Sequence, residues 1–294
     1  MLPNFIGIGA PRAGTTWLFG RLREHPEIFM AEVKEANFFT AHTIAGRIKE
    51  YEDHFVGGDN AVAVGEISVR YLTSNLAPER IKHYMPDVRL FVSLRNPIDQ
   101  IYSHYWHLHR QNFHQWDRTK VPRSFEEALE TYEDTLLEPA RYHKHLQKWL
   151  TIFDKSQLHI IFYDDVVGQP GNVLSELYSF IGVDSSFVPA SIHERGASAR
   201  RGTSPRGHLQ GRMHSWLHDK LNRQVYYPLK QVIGVRAAAR IKDRLRIRET
   251  MERLFLQPGY PEISSDMREL LRKHLANDIA QVASMTNRDL SHWQ

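Results

Sequence analysis

Gly9-Ala10-Pro11-Arg12-Ala13-Gly14-Thr15-Thr16-Trp17-Leu18 follows an apolar run from Phe5 to Ile8 and opens an amphipathic stretch. The order reads as strand, tight turn, helix. Gly9 and Gly14 leave room for backbone N–H groups to surround a phosphate at the start of that helix. A nucleoside-triphosphate loop requires Gly-x-x-x-x-Gly-Lys-Ser/Thr. The spacing from Gly9 to Gly14 is kept, but Thr15 stands in the lysine position and Arg12 is the remaining cation. The loop is built for a phosphate ester without ordinary ATP chemistry.

A second stretch supports the first. Leu90 to Leu94 is a short continuous apolar run of the kind buried in a parallel sheet. Arg95 stands at its carboxyl end, Asn96-Pro97 starts a helix, and Ser103 lies two turns in. Ligands of open α/β sheets sit outside the carboxyl ends of strands, so Arg95 is placed to meet one. It could instead cap the helix or pair with Asp99.

Working outward, strands are expected at 4–10, near 61–65, at 88–94 and at 158–163. Helices are expected at 15–24, 97–109, 125–131, 142–153 and 173–181, then from 217 to about 255 and at 267–285. Ser124 with Glu127 makes a capping box for the helix at 125–131. Residues 111–123 and 194–215 read as loops, and Gln257-Pro258-Gly259 as a helix break. Strands alternating with helices imply an α/β fold, a mostly parallel central sheet flanked by helices, with a helical C-terminal addition. One domain over 1–294 is expected: an α/β core at 1–193, a basic loop and helical lid at 194–262, and a returning helix at 263–294.

The two motifs together resemble the sulfotransferases that use 3′-phosphoadenosine 5′-phosphosulfate (PAPS), in the bacterial and heparan-type branch. Their phosphosulfate loop reads Pro-Lys/Arg-x-Gly-Thr-Thr-x-Leu, against Pro11 to Leu18 here. Val33-Lys34-Glu35-x-x-Phe38-Phe39 and Gly65-Glu66-x-Ser68-x-x-Tyr71 resemble two further family segments. Ile160 to Asp165 resembles the late strand and its acidic turn, and Arg288 to Trp293 closes the chain as many bacterial members close. Ile67 and Val69 depart from the family's Lys and Pro, so a catalytic lysine at 67 is absent.

The resemblance implies PAPS as donor and its desulfated product PAP as leaving group, held by Arg12, Ala13, Gly14, Thr15, Thr16 and Trp17. It places Arg95 and Ser103 on the 3′-phosphate and the catalytic glutamate at Glu35. Arg200, Arg201 and Arg206 fall where a second phosphate loop is expected. Sulfuryl transfer needs a base for the acceptor proton, in-line placement of the SO₃ group, and donors for the charge growing on the leaving phosphate. Arg12, the loop amides and the Thr15 and Thr16 hydroxyls suit the last, with one threonine capping the helix. Lys34 is a second cation near the sulfate. Glu35 is the first choice of base if burial raises its pKa, with Glu66 and His104 as rivals. Tyr102, Tyr105 and Trp106 form a stripe expected to pack on the sheet, and Tyr163-Asp164-Asp165 a structural strand end.

Bulk properties narrow the alternatives. The 294 residues carry a net charge of +4, with 41% hydrophobic and 24% charged residues. Residues 195–248 carry +12 by themselves and the remainder −8, an asymmetry that points to an anionic partner. A nucleotide or an acidic acceptor explains it as well as nucleic acid, for which no reading motif is present. There are no cysteines, and no His-x-x-x-His with a third ligand, so no metal is expected. The first strand begins at once, leaving no room for a signal peptide, and no run suffices to span a bilayer. A cytoplasmic enzyme is expected. It would transfer a sulfuryl group to a hydroxyl or amine of a small molecule or glycan. The alternatives are a P-loop kinase, which needs Lys at 15 and an Asp where Leu94-Arg95 stands, and a non-catalytic nucleotide- or nucleic-acid-binding module.

Overall fold

The structure, a computed structural model, describes residues 1–110, 122, 124–194, 203–205, 220 and 256–293. Five strands form one sheet: β1 (Phe5–Gly9), β2 (Ile28–Met30), β3 (Ala63–Ile67), β4 (Arg89–Leu94) and β5 (Leu158–Phe162). Their order is β2-β3-β1-β4-β5, and every neighbouring pair runs parallel. A parallel pair needs a crossover, and helices supply it: α1 (Thr15–Glu24), α2 (Ile48–Glu52), α3 (Ala77–Tyr84) and α4 (Pro97–Arg110) between the first four strands and after them.

Both faces of the sheet are covered, which is why β1 is an apolar run without alternation and why β1 and β3 are buried at all five positions. On one face Leu18 and Leu22 of α1 join Phe5, Phe91 and Ile161 with Leu174, Leu177 and Ile181 of α9 (Pro170–Ile181). Each such side chain contributes about 1.5–3 kcal/mol on leaving water. Gly65 is required here: a Cβ would stand 2.3 Å from the Phe5 ring, which lies across the strand. Further helices are α5 (Phe125–Thr131), α6 (Glu133–Leu137), α7 (Tyr142–Leu150), α8 (Tyr163–Gly168) and α10 (Ser265–Thr286).

The chain divides into two compact units. The first comprises Met1–Ile101, Glu133–Ala199 and Ser265–Gln294, and the second Tyr102–Tyr132 and Arg200–Ser264. The first holds the parallel sheet. The second contains an antiparallel pair, β6 (Thr203–Pro205) with β7 (Leu256–Pro258).

Several expectations need correction. The polar stretch 194–215 includes a strand, and Gln257-Pro258 lies in its partner, because strand pairing over long separation overrides local loop composition. The three-residue β2 and the short helices α2, α3 and α8 were too brief to show periodicity. The helix expected from Val173 begins at Pro170, where proline suits a first helical position. Within the second unit, Tyr102 and Tyr105 meet Phe125, and Trp106 stacks on Tyr260 at 5.7 Å. Ser124 does cap α5, its hydroxyl accepting from the Glu127 amide at 3.2 Å.

Candidate functional site

Because all five strands are parallel, the candidate site segments of the first unit lie at the carboxyl ends of the same sheet. Residues 10–14 follow β1, Lys34 and Glu35 follow β2, Glu66 and Ser68 close β3, Arg95 follows β4, and Tyr163 follows β5. The chain turns to one side after β1 and to the other after β4. That makes the β1–β4 crevice the switch point where such sheets bind ligands.

The turn after β1 is held by its carbonyls. Gln100 Nε2 donates to the Pro11 carbonyl at 3.1 Å, Arg95 Nη1 to that of Arg12 at 3.3 Å, and Ser93 Oγ to that of Ala13 at 2.6 Å. The Gly14 carbonyl accepts from Trp17 and Leu18. Four consecutive acceptors are thus consumed, and the turn is left to offer donors. Gly14 is the N-cap of α1 in the left-handed conformation at φ 84°, and the amides of Thr15 and Thr16 that follow it lie at the helix start, ahead of the first intrahelical acceptor. A Cβ on Gly14 would also stand 2.9 Å from the Tyr163 ring. This geometry fits a phosphate: fixed N–H groups and a helix N-terminus, with Arg12 beside them. The threonine cap foreseen for α1 is absent; among the described residues no side chain caps it, Thr15 being buried and Thr16 exposed. Trp17 packs at the edge of the core with Arg21 over its ring.

Arg95 neither caps α4 nor pairs with Asp99. Asn96 Oδ1 accepts from the Ile98 amide, and Asp99 pairs with Arg268 at 3.2 Å. The Arg95 guanidinium lies 5.0 Å from the Tyr163 ring centre, a cation–π contact that holds it at the strand end. Tyr163 itself begins α8, which the chain's end secures. Asp165 accepts a bidentate pair from Arg288, and Asp164 accepts from Trp293 Nε1 at 2.8 Å, with Trp293 buried. The structural reading of Tyr163 to Asp165 therefore holds.

After β2 the pattern inverts. The Glu35 amide donates to the Ile67 carbonyl, and the Asn37 amide to Ser68 Oγ, both at 3.0 Å. Lys34 Nζ bonds Glu35 Oε1 at 2.9 Å, and the Glu35 side chain is 36% exposed. Glu35 (φ 70°) and Asn37 (φ 51°) are both left-handed, as is Arg12 (φ 65°). Non-glycine residues held there cost about 1–3 kcal/mol each and gather at functional sites.

The burial expected of Glu35 belongs instead to Glu66, which is fully buried. Its Oε1 accepts from Tyr51 and Tyr71 hydroxyls at 2.7 and 2.9 Å, and its Oε2 from Ser68 at 2.6 Å. Burial raises its carboxyl above the usual range, and the three hydroxyl bonds oppose that rise. Ile67, in the place of the family's lysine, is a buried strand residue.

Ser103 is buried and His104 half-buried on the part of α4 in the second unit, where the His104 ring lies parallel to that of His107. Arg200, Arg201 and Arg206 lie outside the described residues, as do the helix expected from 217 and most of the basic stretch. Among the described residues no cluster could hold a metal ion, and no helix is long and apolar enough to cross a membrane. Sequence reading missed Ser93, Gln100, Tyr51 and Asn37. Ser93 left a signal, a polar residue inside a strand buried on both faces, which must find a partner.

Comparison with known proteins agrees with this geometry. Over 199 residues the chain is 31% identical to the bifunctional heparan sulfate N-deacetylase/N-sulfotransferase 4 of Mus musculus, a match covering 62% of this chain and 22% of that protein. It is 24% identical over 247 residues to carbohydrate sulfotransferase 15 of Homo sapiens, covering 62% of this chain and 44% of the other. The chain thus spans about a fifth to two fifths of the relatives it matches. In fold it is similar to the crystal structure of a sulfotransferase from Alicyclobacillus acidocaldarius, with a TM-score of 0.66, 23% identity, and coverage of 100% of this chain and 99% of that one. Residues 2–197, the stretch that carries the phosphate turn and the whole parallel sheet, match the sulfotransferase domain family, and the chain belongs to it.

Proposed function

We propose that this chain transfers a sulfuryl group from PAPS to a hydroxyl or amine of a glycan or small molecule, with Glu35 as the base. The observation that carries this reading is the opposite accounting of the two turns. Carbonyls 11–14 are all occupied, so the β1 turn offers donors to an anion, while the amides of Glu35 and Asn37 are occupied and the β2 turn offers a carboxylate.

PAPS supplies an activated sulfuryl group on its 5′-phosphate. Glu35 accepts the acceptor's proton as the new O–S or N–S bond forms. Arg12 and the Thr15 and Thr16 amides at the start of α1 take up the charge left on the 5′-phosphate oxygen as its bond to sulfur breaks. Lys34, beside Glu35, faces the negative oxygens in transit. Arg95 takes the 3′-phosphate. The relatives, sulfotransferases of heparan sulfate and of carbohydrate, support a glycan acceptor.

Calorimetry with PAP and a turnover assay with labelled PAPS against hydroxyl and amine acceptors test the reading together. Tight PAP binding with sulfated product is expected. Failure to bind PAP, or PAP binding with no transfer to any acceptor class, would return the chain to a binding role.

A further inference from the structure

We propose that Glu66 is a positioning residue: through Ser68 and Asn37 it fixes the left-handed turn that sets where the Glu35 carboxylate stands. The proposal rests on the reading of Glu35 as base and deepens it. Glu66 cannot itself meet an acceptor, because it is fully buried and both its oxygens are bonded to hydroxyls of the protein's own core.

The direction of the hydrogen bonds shows what it does instead. Ser68 Oγ accepts from the Asn37 amide at 3.0 Å, so its own proton is free to point at Glu66 Oε2, 2.6 Å away. A serine hydroxyl alone is a free rotor with interchangeable donor and acceptor roles. A carboxylate acceptor pins that rotor and turns a lone pair toward Asn37, in a bond strengthened by the charge. Tyr51 and Tyr71 hold the carboxylate on its other oxygen, so it cannot swing away.

Asn37 then passes the constraint on. Its side-chain amide donates to the Glu35 carbonyl at 3.0 Å, and its backbone caps the short helical turn Phe38–Thr40. Two left-handed non-glycine residues, 35 and 37, persist only where their surroundings over-determine them. The Ser68 contact ties this turn to a side chain anchored in the core. Ser68 is also bonded through its own amide to the Gly7 carbonyl at 2.9 Å, so the same residue ties the β2 turn to the strand that carries the phosphate turn.

The test uses the full chain and two variants, Ser68→Ala and Glu66→Gln, each alone and combined with Glu35→Gln. Hydrogen exchange of residues 34–40 is expected to speed at least tenfold in both single variants, with the amides of β1 and β3 unchanged. With PAPS as donor and p-nitrophenol or glucosamine as probe acceptors, kcat should fall about tenfold or more while KM for PAPS stays within twofold. In the Glu35→Gln background the same changes should cost almost nothing, because they act through Glu35. Unchanged exchange in Ser68→Ala would overturn the proposal. So would a kcat loss that persists in the Glu35→Gln background, or loss of the acidic limb of the pH profile in Glu66→Gln with Ser68→Ala fully active. If Glu66→Gln fails to fold, Ser68→Ala decides, since it leaves both tyrosines on the carboxylate. Full activity of Glu35→Gln would remove the base reading by itself, while the exchange result still judges the link from Glu66 to the turn.

Discussion

The turns after β1 and after β2 are both strained, both lie at carboxyl ends of one parallel sheet, and are held by opposite halves of the peptide group. Residues 11–14 have their carbonyls tied by Gln100, Arg95, Ser93 and the start of α1. Residues 35 and 37 have their amides tied by β3 and Ser68. A backbone whose acceptors are spent can serve an anion. One whose donors are spent can present an acceptor to a proton. The same economy of backbone polar groups yields opposite chemistry, depending on which half is satisfied internally.

The sharpest way to break this contrast is Glu35→Gln. It keeps the shape of the β2 turn and removes its basicity, so kcat should fall roughly 10²–10⁴-fold. PAP affinity, which belongs to the β1 turn, should stay within about twofold by calorimetry. A large loss of PAP affinity would mean that the two turns do not have separate tasks.

Arg95→Ala should act on the other side. One charge-assisted contact to a phosphate is worth about 1.5–3 kcal/mol, or roughly 10–150-fold in the PAP dissociation constant. Adenosine 5′-phosphosulfate lacks the 3′-phosphate and should lose much less. Equal losses for both ligands would assign Arg95 to the scaffold, through its bond to the Arg12 carbonyl.

Gly14→Ala probes the cradle itself. The left-handed φ costs a Cβ-bearing residue roughly 1–2 kcal/mol, and the added methyl meets the Tyr163 ring. A lower melting temperature and PAP binding weakened several-fold are expected, with the exchange rates of residues 34–40 unaltered.

The smallest effect concerns the pH dependence of stability. Glu66 has its carboxyl raised in the folded state by burial, so between the unfolded value near 4.5 and the folded one the native state holds a proton that the unfolded state has lost. Stability therefore falls as pH rises through that window and is level above it. Denaturant titrations of the native protein should show this slope, and Glu66→Gln should flatten it. A slope that survives the substitution would place its source elsewhere.

Much of this was legible in the chain because it is local. Strand, glycine turn and helix follow one another within residues 5–24, and each step is dictated by neighbours: apolar run, absent Cβ, helical spacing. The same holds for Leu90 to Ser103. What could not be read were the ties that cross the sheet. Ser93 reaches Ala13 and Gln100 reaches Pro11 only because β4 lies beside β1, a pairing that no local pattern announces. Which of the two glutamates is buried could not be read for the same reason. Glu35 and Glu66 are each a lone carboxylate in the sequence, and burial is a property of the surroundings that Tyr51, Tyr71 and Ser68 create.

The sequence by itself determined the α/β class, the phosphate turn and the set of candidate charges, since periodicity, glycine placement and residue chemistry act over a few residues. Only the tertiary structure decided which backbone groups remain free at each turn and which glutamate faces outward. Those outcomes depend on how distant strands are ordered in the sheet and on which polar atoms that order brings within hydrogen-bond reach.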